Sequence, residues 1–117
     1  MIAATIAVGN RVIVFPSEFN PVIAGELIQV IETSDIPAGV VNILFADFSD
    51  VAKHTAMHMD IDAVWCEEPA AISSIIEEHS ATNLKRTWTQ MNHATEIREF
   101  LDYAIEKKTV WIPWGEG

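Results

Sequence analysis

Short apolar runs alternate along this chain with longer stretches in which apolar residues recur every three or four positions. Residues 11–15, Arg-Val-Ile-Val-Phe, form a β-branched run that Pro16 stops. An unbroken apolar run of this kind predicts a strand buried on both faces. Pro21 suits the first turn of a helix, with Ser17 or Asn20 as its cap. That helix carries Val22, Ile23, Leu27, Val30 and Ile31 at helical spacing, with Glu26 and Gln29 turned outward. Residues 35–39, Asp-Ile-Pro-Ala-Gly, break it, and Val40 to Phe45 reads as a second buried strand.

The alternation continues to the end of the chain. Ser49 or Asp50 is the expected cap of a short helix through Val51, Ala52, Thr55 and Ala56. Ile61 to Cys66 reads as a third strand. Pro69 starts a helix with Ile72, Ile75 and Ile76 inward and Glu77 and Glu78 outward. Leu84 to Thr89 is a fourth strand, and Ile97, Phe100, Leu101, Ala104 and Ile105 mark a last amphipathic helix. Thr109 to Trp114 reads as a closing strand, and Met1 to Val8 as the last turns of a truncated helix. Strands separated by helices of this length predict right-handed βαβ units and a parallel sheet. With no repeat, low-complexity tract or linker in residues 1–117, the expectation is one α/β domain.

Charge and cysteine content narrow the partners. Seventeen acidic residues against seven basic ones give a net charge of −10. Such a surface repels phosphate backbones and anionic bilayers, so neither nucleic acid nor membrane is expected as a partner. The apolar opening is expected to be too short for a membrane span, and a poor signal peptide because it lacks a basic flank and runs directly into a strand pattern. A single cysteine, Cys66, excludes an internal disulfide and fits a reducing, cytoplasmic compartment.

Val8-Gly9-Asn10, the valine strand, Pro16-Ser17-Glu18 and Ile36-Pro37-Ala38-Gly39-Val40-Val41-Asn42 follow one another in order. This series resembles the nucleotide-binding domain of aldehyde dehydrogenases, whose pattern runs Ala-Gly-Asn, valine strand, Lys-Pro-Ser-Glu, helix and Leu-Pro-x-Gly-Val-x-Asn. Asp60 to Val64 and Asn83 to Arg86 resemble later stretches of the same domain, so the likeness covers residues 1–92. Ala81 to Trp88 and Val110 to Glu116 are similar to the degenerate, non-catalytic C-terminal half of bacterial two-domain members. The resemblance implies a small Rossmann-like three-layer sandwich with a mostly parallel sheet of four to five strands, truncated relative to the family.

What the resemblance implies about chemistry is mostly loss. The family reaction needs a thiolate, a carboxylate that activates water, and a bound nicotinamide. The general-base position falls at Gln90, an amide, and the glycines after it become Asn92 and His93. No cysteine follows Gln90, so no catalytic residue is expected. In the family, the lysine and glutamate of Lys-Pro-Ser-Glu hold the adenosine ribose. Here Phe15 replaces the lysine, leaving Pro16, Ser17 and Glu18 as a vestigial cofactor-binding segment. The family's pyrophosphate-cradling Gly-Ser becomes Glu68-Pro69, which removes a backbone donor and, with Glu67, adds negative charge. No cofactor is therefore expected. A residual NAD or adenine-nucleotide site at Ser17 and Glu18, serving regulation, is the alternative.

Other constellations have plainer readings. Cys66 precedes Glu67 and Glu68, which would raise a thiol pKa, so it reads as structural. His54 and His58, with Asp60 and Asp62 near them, could suggest zinc, but a helical His pair without a firm third ligand reads as surface and no metal is expected. Asp47, Ser49 and His54 show no nucleophile-elbow turn. Trp65, Trp88, Trp111 and Trp114 read as core on strands, or as an interface where exposed.

The family's first strand, central in such a sheet, has no counterpart before Met1. Val110 to Trp114 carries a similar Ile-Pro-Trp text and is expected to fill that place, within one chain or exchanged between two. A simpler expectation makes it an edge strand pairing with a second subunit. The function expected from all of this is a non-catalytic binding or assembly module, a pseudoenzyme that forms a homo-oligomer, most simply a homodimer, or takes another protein partner.

Overall fold

Pro16, Pro21 and the Asp35 to Gly39 break punctuate the chain where the pattern changes period, and the fold follows that punctuation. In a computed structural model, which describes residues 1–17, 20–67, 69–89, 91 and 96–115, α1 (Ile2–Ala7) leads into β1 (Val12–Val14), α2 (Pro21–Glu32) and β2 (Val41–Ile43). Then come α3 (Phe48–Met57), β3 (Ala63–Trp65), α4 (Ala70–Ser80), a 3-10 turn (Ala81–Asn83), β4 (Arg86–Trp88) and α5 (Ile97–Ala104). Gly9 (φ +90) and Gly39 (φ +80) make the turns that feed β1 and β2, a backbone region that side chains disfavour. Asn20 occupies the cap position of α2 but its side chain makes no cap bond. At α3 the cap is Asp47, not Ser49 or Asp50: its Oδ1 accepts from the Ser49 amide at 2.8 Å and from the Ser49 hydroxyl at 2.6 Å.

All pairing is parallel, as the βαβ reading requires. Val12, Ile13 and Val14 stand opposite Val41, Asn42 and Ile43, while Ala63, Val64 and Trp65 stand opposite Arg86, Thr87 and Trp88. Among the described residues, four strands form two sheets of two, rather than one sheet of four to five. Among the described residues nothing supplies a ladder between the β1–β2 pair and the β3–β4 pair.

The core belongs to the second half. Ala52 of α3, Val64 of β3, Cys66 and Ile76 of α4 are buried together, with Phe48, Ile61 and Ile72 packed against them. The small side chains of Ala52 and Ala56, both at 0% exposure, let α3 lie close on α4. Over β3 and β4, Trp65 and Trp88 meet edge to face at 5.4 Å, and Tyr103 of α5 stacks on Trp88 at 4.0 Å. Phe100 joins the same cluster, 5.3 Å from Trp88.

The first half is thinly covered. Ile13 is 48% exposed, so β1 is not buried on both faces. Of the apolar stripe on α2, Val22, Ile23 and Val30 are exposed and only Ala24 is buried. Periodicity marks a face that can be buried; covering it requires a facing surface. Ile75 and Ile97, expected inward, are also exposed. Residues 109–114 are not a strand in this chain. Ile105 leaves α5 in extended geometry, and Val110, Trp111, Ile112 and Trp114 lie 75–99% exposed. Pro113 also lacks the amide that a ladder would use. The accessible surface is 9016 Å², against about 6,300 Å² for a compact monomer of this mass.

A candidate binding site at the strand ends

In open α/β sheets, ligands sit outside the carboxyl ends of the strands. At that end of β1 and β2, an open cavity of about 200 Å³ is lined by Val14, Pro16, Ser17 and Asn20, with Ile23, Ala24, Leu27 and Ile43 as its apolar wall. Its position follows from local sequence. Pro16 ends β1, the chain turns through Ser17, and Pro21 begins α2, whose Ile23 and Leu27 lean back over β2. A larger depression, about 490 Å³, opens around Gly9, Arg11, Asp35 and Ile36 near the opposite end of these strands. The smaller cavity is the candidate site because its position matches where such folds bind.

Two of the three anticipated residues, Pro16 and Ser17, line this cavity; Glu18 lies outside the described residues. Asn20, read from sequence only as a helix cap, is a further polar wall residue. Its missing cap bond is the sign that leaves its amide for other work. Phe15 does not substitute for a cation: its ring meets Phe48 at 5.2 Å and so packs toward the core. A hydroxyl and an amide beside an apolar wall can hold a flat apolar group that carries hydroxyls. The volume is below the range of roughly 300–1,000 Å³ usual for small-molecule sites.

The second strand pair presents a different end. The chain's one thiol, Cys66, is 7% exposed within the core. After it comes exposed Glu67, and α4 is capped by Pro69 with no side-chain cap bond. Glu68 and the Gln90, Asn92 and His93 positions lie outside the described residues. Of the histidine pair, His58 Nδ1 accepts from the Asp60 amide at 3.2 Å. Among the described residues, no group of three His, Cys, Asp or Glu could hold a metal ion. No described helix is long and apolar enough to cross a membrane.

The profile of the aldehyde dehydrogenase family matches residues 1–96. The chain belongs to that family. An aldehyde dehydrogenase of Agaricus bisporus is 27% identical over 115 residues, covering 97% of this chain and 23% of the relative. The 2-aminomuconic semialdehyde dehydrogenase of Danio rerio is 29% identical over 91% of this chain and 22% of its own length. Rattus norvegicus aldehyde dehydrogenase, cytosolic 1, is 31% identical over 90% of this chain and 21% of its own. No solved structure matches. The chain thus spans about a fifth of the curated aldehyde dehydrogenases that it resembles, and the parallel βαβ units are what that fifth has in common with an aldehyde dehydrogenase nucleotide-binding fold.

Proposed function

We propose that this aldehyde dehydrogenase-like chain is a non-catalytic binding and assembly module that works as a homodimer in the cytoplasm. The observation that carries the reading is the amount of apolar surface it leaves open. Val22, Ile23 and Val30 on α2, Phe45 after β2, and Trp111 and Trp114 near the C-terminus are each more than half exposed. Exposed apolar surface of this extent is the kind that another protein surface covers. Gln90 at the general-base position and the burial of Cys66 support the absence of dehydrogenase chemistry in this chain. The acidic net charge of −10 supports a protein partner over nucleic acid or membrane. Sedimentation velocity of the full chain over a concentration series tests the reading. The expected result is a dimer whose dissociation is concentration-dependent; a monomer throughout removes homodimerisation.

A second reading is favoured by the cavity at Pro16, Ser17 and Asn20: a small adenine-nucleotide regulatory site. The apolar wall suits a purine face and Ser17 suits a ribose hydroxyl. Calorimetric titration with NAD, NADH, AMP and ATP separates the two readings, since a pure assembly module gives no heat at millimolar ligand.

A further inference from the structure

We infer that the depression between α1, the start of β1 and the loop after α2 binds a small zwitterion, an amino acid with an apolar body. It lies at the opposite end of β1 and β2 from the cavity at Pro16 and Ser17. It depends on neither the assembly reading nor the nucleotide reading. Ile6, Ile36, Pro37 and Val40 make an apolar floor, and Arg11 and Asp35 supply one charge of each sign on its walls. The depression measures about 490 Å³, inside the range of roughly 300–1,000 Å³ usual for small-molecule sites. Apolar walls with a few placed polar groups are the ordinary make-up of such sites.

The two charges are held apart and left open. Among the described residues, neither Arg11 nor Asp35 makes an ion pair, with the other or with a third side chain. Both sit on backbone that is pinned. On the Arg11 side, Gly9 turns in the left-handed region, the Asn10 amide donates to the Thr5 carbonyl at 3.3 Å, and Asn10 Nδ2 donates to the Ala104 carbonyl at 2.8 Å. On the Asp35 side, the Ser34 hydroxyl donates to the Ile31 carbonyl at 2.7 Å and accepts from the Ile36 amide at 3.2 Å. The Val12 amide donates to the Val40 carbonyl at 2.9 Å and joins the two sides. Walls fixed in this way lower the ordering cost of binding.

Charge selects the ligand class. With a net charge of −10, the chain repels a free anion, and Asp35 adds to that repulsion beside Arg11. A simple cation finds carboxylates over the whole surface and gains nothing particular from this one. A zwitterion carries no net charge to be repelled. Its carboxylate can accept two parallel hydrogen bonds from Arg11 while its ammonium donates to Asp35. The alkyl part then lies on Ile6, Ile36 and Val40, which are already half-buried.

Titration of the isotope-labelled full chain, followed by amide NMR shifts, tests the site. The probes are L-leucine, with both charges on one carbon, and ε-aminocaproate, with its charges at opposite ends. Isocaproate and isoamylamine are the single-charge controls. The expected result is that at least one zwitterion binds at millimolar concentration and shifts the amides of Gly9, Arg11, Ile36 and Val40. The single-charge controls should bind about tenfold more weakly, because each forfeits a charge-assisted contact. Arg11→Gln and Asp35→Asn, both at exposed positions, should each weaken the zwitterion about tenfold in a spectrum that stays dispersed. The site is overturned if neither zwitterion binds, if either control binds as well as the zwitterion, or if the shifts gather at Ser17 and Asn20 instead. Zwitterion binding unchanged in both variants also overturns it. Should a variant lose its dispersed spectrum, the comparison of zwitterions with controls on the parent chain decides.

Discussion

The side-chain amide of Asn10 donates to the backbone carbonyl of Ala104 at 2.8 Å, joining residues 94 positions apart. It fixes the turn between α1 and β1 to the end of α5, two helices that also pack on each other. The bond is partly buried, and an orphaned carbonyl there would lose its donor without full access to water. Asn10→Ala should cost about 1–2 kcal/mol. Urea denaturation should show a lower midpoint with an unchanged slope.

Lys85 is only 9% exposed, and its ammonium donates to the carbonyls of His58, at 2.6 Å, and Ile61. It staples the loop before β3 to the start of β4. Lys85→Met should destabilise by about 1–3 kcal/mol by leaving those carbonyls unpaired. Burial pushes the Lys85 ammonium below its usual value of 10.5, with Asp62 opposing. The unfolded chain then binds more protons, so this residue's penalty is full below its folded value and fades as pH climbs toward 10.5. Neutral Lys85 still has two N–H groups for its two carbonyls. Stability of the parent should rise relative to Lys85→Met across that alkaline interval, read from urea midpoints at stepped pH.

Asp47 titrates in the opposite direction. The Ser49 hydroxyl and then the Ser49 amide hold its carboxyl below the ordinary 3.8. A lowered carboxylate stabilises the fold above 3.8, and the benefit disappears as pH falls through the folded value. Asp47→Asn should keep an acceptor for the α3 cap while removing that acid-side dependence. Thermal melts from neutral pH to below pH 3.8 should therefore decline less steeply in Asp47→Asn than in the parent.

Leu84 ends the 3-10 turn in the left-handed region, φ 56 and ψ 29, with 91% of its surface exposed. A leucine gains nothing there from burial and carries the left-handed penalty of roughly 1–2 kcal/mol. Asparagine adopts this conformation more readily. Leu84→Asn should raise stability by about 1 kcal/mol, visible as a higher melting temperature, whereas Leu84→Val should lower it.

Much of the fold was legible because its signals are local. Pro16 stops β1, Pro21 starts α2, and Gly39 turns the chain into β2 within a few residues of where the pattern places each event. The candidate site was half legible. Pro16 and Ser17 line the cavity, while Asn20 reads in sequence only as a cap, because cap position and cap bond are indistinguishable there. Asp47 was missed for a related reason: several Ser and Asp side chains stand together before α3, and only geometry selects the acceptor.

By itself, then, the sequence determined the order of elements as far as α5, their parallel βαβ character and the family, since period, turn chemistry and motif spacing are properties of neighbouring residues. Tertiary structure decided what those elements cover. Similar apolar periodicity leaves Ile76 fully buried and Val22 open, because α4 meets α3 while among the described residues nothing covers that face of α2. It also decided that the strands form two pairs and that Trp111 and Trp114 stand in solvent, because a ladder needs two edges at one distance and burial belongs to both faces of a contact.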